Sequence, residues 1–172
     1  MMTILESGMS FGPYPEEICF YIEKSDVYQK IKDGVPMVEF CLFREKKGKP
    51  MIWLVEAKSS TPKPHNKDDF KEFIGQIRDK WVDALELLIS IILKRHCYEL
   101  PKSFQSLSLS KFGVKFVLVV HGYQEAWLSP LQDALKCHLR STLKTWAFEP
   151  TSVVVLNEIG AQKYGLVQPS QG

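Results

Sequence analysis

The sequence predicts an α/β domain (in the broad sense that includes α+β), with a mixed central sheet built on an antiparallel hairpin and flanked by helices. Three observations carry this prediction. Residues 35–44 (VPMVEFCLFR) and 51–58 (MIWLVEAK) are strand-like runs joined by a polar, glycine-containing turn. Phe70, Phe73, Ile74, Ile77, Trp81, Val82, Leu85 and Leu88 then recur at spacings of three and four, the apolar face of a long helix. Residues 114–120 (VKFVLVV) and 153–156 (VVVL) are nearly continuous apolar runs, the mark of strands buried on both faces.

The elements follow in order. Residues 1–15 read as an irregular lead-in, because Gly12, Pro13 and Pro15 interrupt regular structure. Residues 18–22 read as a short strand. Ser25 caps a short helix over 26–32 that ends at Gly34. The hairpin follows, and Pro62 and Pro64 break the chain after it. Asn66 then caps the long helix, which runs to about residue 97, with 85–93 apolar on more than one face and hence central. Residues 100–111 form a Ser-rich loop. Ser129 caps a second helix with Pro130 in its first position and Gln132 completing a capping box, and this helix runs to about 146. Residues 158–164 form a terminal turn stopped by Gly165. A hairpin followed by two strands reached through helices implies a mixed sheet.

Composition bounds the class. The 172 residues are one domain's worth, spanning 1–172. Hydrophobic residues make up 45% and charged residues 24%, which excludes a disordered chain, a coiled coil and a disulfide scaffold. Lys and Arg number 22 against 20 Asp and Glu, so a uniformly basic polyanion binder is excluded too. Yet residues 44–80 hold ten basic and six acidic residues, so positive charge is concentrated there. The N-terminal MMTILE shows no basic segment followed by an apolar run, and residues 85–93, interrupted by Glu86, are far short of the roughly 20 that span a bilayer. The expectation is a cytoplasmic protein that does not meet a membrane. Cys19, Cys41, Cys97 and Cys137 form no CxxC pair and read as reduced, buried small hydrophobes.

The chemistry concentrates on the hairpin. Its second strand ends in Glu56-Ala57-Lys58, and the two-residue period puts Glu56 and Lys58 on one face. Glu39 sits inside the apolar run of the first strand, where a carboxylate is costly unless it is paired or holds a cation. A turn centred between Lys47 and Gly48 makes Glu39 face Glu56. Two opposed carboxylates are destabilising unless a cation lies between them. Hard oxygen ligands suit Mg²⁺ or Mn²⁺, with Lys58 placed to orient a water or to neutralise charge on a phosphate. The ordinary alternative is a structural Glu56–Lys58 ion pair on the sheet rim with Glu39 facing solvent.

Glu39, then Glu56-Ala57-Lys58 across a hairpin, then a long helix, resembles the PD-(D/E)XK superfamily of restriction-endonuclease-like phosphodiesterases. Glu39 stands where that family more often has Asp, and the similarity in element order covers residues 35–120. The resemblance implies a restriction-endonuclease-like fold and metal-dependent cleavage of nucleic acid, DNA more often than RNA. Glu39 and Glu56 would be the Mg²⁺ or Mn²⁺ ligands and Lys58 the third catalytic residue. Some branches carry a helical Gln followed four residues later by Tyr; here Gln76 is present but is followed by Lys80. Gln76 and Glu23 are therefore auxiliary candidates, and Lys63 and Lys67 candidate phosphate contacts. A second implied reading is an inactive nuclease-fold interaction module, or a homodimeric component of a DNA-processing or defence assembly.

Other groupings carry less. His96-Cys97 and Cys137-His138 suggest zinc only superficially, because adjacent helix residues point about 100° apart. His121, ending a buried strand before Gly122, occupies a position where α/β proteins place functional groups, and it also suits a satisfied rim histidine. Trp53 and Trp81 read as core. No GxGxxG or Walker motif is present in the sequence.

Overall fold

The computed structural model describes residues 1–169. Its centre is a five-stranded mixed sheet of β3 (Cys19–Phe20), β4 (Phe40–Lys46), β5 (Lys49–Lys58), β6 (Gly113–Val120) and β7 (Val153–Leu156), side by side in that order. The β3–β4 and β4–β5 pairings are antiparallel, whereas β5–β6 and β6–β7 are parallel. The predicted mixed sheet with a hairpin at its centre is what the chain forms.

The hairpin turns through Lys47 and Gly48, both at positive φ (51° and 73°), as a two-residue turn matched to strand twist requires. Its register pairs Phe40 with Val55, Leu42 with Trp53 and Arg44 with Met51, the register expected from the sequence. The first strand is shorter than the predicted 35–44: residues 35–39 leave the ladder, and Pro36 has no N–H to contribute to it.

Helices cover one face of the sheet. The long helix α2 (Lys67–Ile92) buries Phe73, Ile74, Ile77, Trp81, Ala84, Leu85, Leu87, Leu88 and Ile91. The short α1 (Asp26–Gln29) is capped by the Ser25 hydroxyl, which accepts from the Tyr28 N–H at 3.3 Å. It stops short of the predicted residue 32. A four-residue helix, α3 (Lys102–Gln105), interrupts the Ser-rich loop and buries Phe104. The second major helix departs from prediction. It starts at Glu125, leaves Pro130 inside α4 (Glu125–His138), and breaks at Leu139 before α5 (Arg140–Thr145). Trp127 and Leu128 pack against the core, so burial draws the helix start upstream of the Ser129-Pro130 signal.

The opposite face carries the main correction. Residues 1–15 are not irregular: β1 (Met2–Glu6) and β2 (Met9–Tyr14) form a second antiparallel hairpin. Ser7 and Gly8 turn it at positive φ, and Ile4, Met9, Phe11 and Tyr14 are buried against Phe40, Leu42, Trp53, Val55, Val117 and Val119. Gly12 and Pro13 are accommodated at the far end, where the Gly12 N–H donates to the Leu166 carbonyl. The terminal helix α6 (Glu158–Lys163) is capped by Asn157 and completes this layer. The 18–22 strand shrinks to Cys19–Phe20 between two 3₁₀ turns.

Trp81 and Trp53 are core residues, as expected; Trp81 packs edge-on against Phe116 with centroids 5.8 Å apart. Cys19 and Cys41 are buried, but Cys97 and Cys137 are exposed, correcting the expectation for those two. No helix among the described residues is long and apolar enough to cross a membrane. Because Trp81 seats α2 on the sheet, Trp81→Ala is expected to cost about 3–5 kcal/mol in urea unfolding.

Candidate active site

The strand β5 delivers its charged residues at the end of an otherwise apolar run. Ile52 and Leu54 face α2, so alternation puts Glu56 and Lys58 on that face as well. Glu56 is fully buried between strands β4 and β6. Its Oε1 accepts from two ammonium groups, Lys58 Nζ at 2.8 Å and Lys80 Nζ at 2.7 Å. Two close cations offset the cost of placing one carboxylate in the interior. Burial pulls the Lys80 ammonium down, but the carboxylates of Glu56, Glu39 and Glu23 outweigh it, so its pKa is raised overall.

Glu39 stands just beyond the last hairpin pair, Phe40–Val55. Its N–H donates to the Val55 carbonyl at 3.1 Å, and its own carbonyl accepts from the Glu23 N–H at 3.3 Å. It is 7% exposed, so the solvent-facing alternative does not hold. Its carboxyl is pushed up to about 8, first by burial, then by the charges of Glu56 and Glu23 and a side-chain hydrogen bond with Glu23, with the charge of Glu6 adding to them. Glu6, Glu23 and Glu39 each offer a carboxylate oxygen, and these oxygens lie within 4.8 Å of one another. Glu6 comes from the tip of the β1–β2 hairpin, where its Oε1 accepts from the Tyr21 hydroxyl at 2.6 Å.

Glu39, Glu56, Lys58 and Glu23 are thus brought to one end of the sheet. Gln76 is not among them: it is exposed and donates to Glu72 at 3.1 Å. Lys67 is exposed on the first turn of α2. Lys63 is exposed too, its ammonium 5.6 Å from the Trp127 ring. His121 belongs to the other face, continuing the alternation of Val117 and Val119, and its Nδ1 lies 2.8 Å from Glu158 Oε1. His96, Cys97, Cys137 and His138 form no metal-binding group among the described residues.

Two members of the site went unread in the sequence. Lys80 carried a usable signal, since it sits three residues after Ile77 and four before Ala84, on the apolar stripe of α2. Glu6 carries none, because Gly12, Pro13 and Pro15 interrupt the pattern of the segment that holds it.

The residues present suit a divalent cation. Glu39 Oε2 and Glu56 Oε2 are buried and have no hydrogen-bond partner. Unpartnered buried carboxylate oxygens are costly, and hard anionic oxygens are what Mg²⁺ and Mn²⁺ prefer.

Two predictions follow from the charge pattern. Lys80→Met leaves Glu56 with one ammonium and is expected to lower stability by about 1–3 kcal/mol. The loss should shrink in a Glu56→Gln background, read as a coupling in a double-mutant cycle. The second concerns pH. Around Glu39 stand Glu6 from β1, Tyr21 and Glu23 from the turn that follows β3, Glu56 from β5 and Lys80 from α2. A raised carboxyl pKa means the folded protein keeps a proton that the unfolded chain has lost. The stabilisation is complete below the ordinary value of 4.5 and is lost as pH rises towards about 8. In chelator-containing buffer, Glu39→Gln should therefore flatten the fall in Tm across that window and raise stability at its alkaline end by about 1–3 kcal/mol.

Compared with models of protein families, with curated proteins and with solved structures, the chain matches none. Its likeness to the PD-(D/E)XK superfamily therefore rests on Glu39, Glu56, Lys58 and the order of the elements that carry them.

Proposed function

We propose that the protein is a metal-dependent phosphodiesterase acting on nucleic acid, DNA before RNA, with a restriction-endonuclease-like core. The observation that carries this reading is the pair of buried carboxylates, Glu39 and Glu56, each with an unpartnered oxygen, beside a lysine 2.8 Å from Glu56. The hairpin β4–β5, the crossover helix α2 and the parallel strand β6 support the fold assignment, because they follow one another as in that superfamily.

Glu39 and Glu56 would hold Mg²⁺ or Mn²⁺. When bound, the ion supplies positive charge beside a phosphate and acidifies a nearby water. Lys58 is partly exposed at the strand end, where its ammonium can orient that water or neutralise charge growing on the phosphate oxygens. Lys80 holds Glu56 from the α2 side and acts as a positioning residue. Lys63 and Lys67, exposed after the end of β5 and at the start of α2, would be auxiliary phosphate contacts.

One observation favours a second reading, a catalytically inactive nuclease-fold interaction module or homodimeric component of a larger assembly. Glu56 already has two ammonium partners, so its charge is balanced without a metal.

The experiment is incubation of plasmid, linear and single-stranded DNA with the protein and Mg²⁺ or Mn²⁺. Cleavage abolished by chelator and lowered about 100-fold or more by Lys58→Ala is the expected result. Cleavage unchanged in Lys58→Ala overturns the assigned roles. No cleavage, no calorimetric Mn²⁺ binding and tight self-association would favour the module.

A further inference from the structure

We propose that Glu6, Glu23 and Glu39 form a second divalent-cation position, to which the β1–β2 hairpin contributes Glu6. It adjoins the proposed Glu39–Glu56 position and shares Glu39 with it, but it does not require the protein to be a nuclease. Glu6 lies outside residues 35–120, the part of the chain that carries the family resemblance.

The first observation is geometric. One oxygen from each of the three carboxylates lies within 4.8 Å of the others. Three oxygens evenly placed around an ion at about 2.4 Å stand about 4.2 Å apart, and around one at about 2.1 Å about 3.6 Å apart. A Ca²⁺-sized ion therefore fits after a small closure of the half-buried Glu6 and Glu23, and Mg²⁺ or Mn²⁺ after a larger one. The second observation is independent of the clustering. Glu39 is more than nine-tenths buried, and its Oε2 has no hydrogen-bond partner although its carboxylate is packed against Glu6 and Glu23.

The remaining contacts do not neutralise the group. Glu6 accepts from the uncharged Tyr21 hydroxyl, and Glu23 has an exposed Lys24 ammonium at 3.6 Å. The nearest buried ammonium, that of Lys80, is bonded to Glu56. By contrast Glu56 has two ammonium groups on one oxygen. Charge is thus balanced on the β5 side of the rim, whereas on the hairpin side a bound cation would take the place of the proton that Glu39 otherwise keeps between Glu6 and Glu23. The Ser7-Gly8 turn brings Glu6 to this position, and Tyr21 orients its carboxylate.

Terbium luminescence on the full chain tests the proposal, with Tb³⁺ as the probe and excitation through tyrosine. Because the Tyr21 hydroxyl touches Glu6, an ion held by Glu6 lies within sensitising distance of that ring. The expected result is saturable emission that Ca²⁺ or Mn²⁺ competes away. Glu6→Gln and, separately, Glu23→Gln should weaken Tb³⁺ binding about 10-fold or more, and Glu56→Gln should change it less than about threefold. Glu6→Gln keeps the size of a half-exposed side chain and an oxygen for Tyr21; circular dichroism confirms that each variant is folded. Absence of saturable binding overturns the proposal. So does binding indifferent to both Glu6→Gln and Glu23→Gln, or lost equally in Glu6→Gln and Glu56→Gln. A protein that binds Tb³⁺ through Glu6 yet cleaves no DNA would keep this site and sink the nuclease reading. One that cleaves DNA with unaltered Tb³⁺ binding in Glu6→Gln would do the reverse.

Discussion

A single carboxylate, that of Glu56, sits at full burial near the end of the central strand, and much of the local structure is organised around it. Glu56 tolerates that position because Lys58 reaches it along its own strand and Lys80 reaches it from the helix above. An unpaired charge there would cost several kcal/mol. The Lys80 ammonium therefore ties β5 to α2 by a directional contact, while Lys58 closes the pair from within the strand. Ile77, Trp81 and Ala84, buried on either side of Lys80 along α2, add the apolar part of that contact.

The same burial has a different outcome next door. Glu39 lies within electrostatic reach of Glu56 but has no ammonium bonded to it, and its nearest neighbours at the rim are two more carboxylates. Repulsion of this kind is unfavourable for folding, and natural folds retain such clusters mainly where a proton, a cation or a substrate relieves it. The hairpin β1–β2 deepens the crowding by bringing in Glu6, although its own attachment rests on apolar contacts from Ile4, Met9, Phe11 and Tyr14. Packing on one face of the sheet thus fixes charge at its edge.

The sequence was most legible where one physical signal acted alone. The β4–β5 register followed from where the turn falls, because a two-residue period leaves few alternatives once Glu39 and Glu56 must share a face. The buried strands β6 and β7 were legible because they are apolar throughout. Residues 1–15 were misread because Gly12, Pro13 and Pro15 mask the alternation of Ile4, Met9 and Phe11, and the tight turn at Ser7-Gly8 is short enough to be overlooked. The start of α4 was misread because tertiary burial of Trp127 and Leu128 outweighed a good local start signal at Ser129-Pro130. Half of the site followed from β5 alone. Lys80 and Glu6 depend on which elements meet in space, which periodicity within a single element does not report.

The division of labour between the two buried acids then follows from their partners alone. Glu56 on β5 and Glu39 just before β4 have the same chemistry, yet one has two ammonium groups on one oxygen and the other has carboxylates beside it. The Glu39 environment, buried and crowded by carboxylates, disfavours the charged form until positive charge arrives. Glu39 is the acid that the N-terminal hairpin surrounds. The hairpin is therefore part of the site's electrostatics as well as a cover for the sheet.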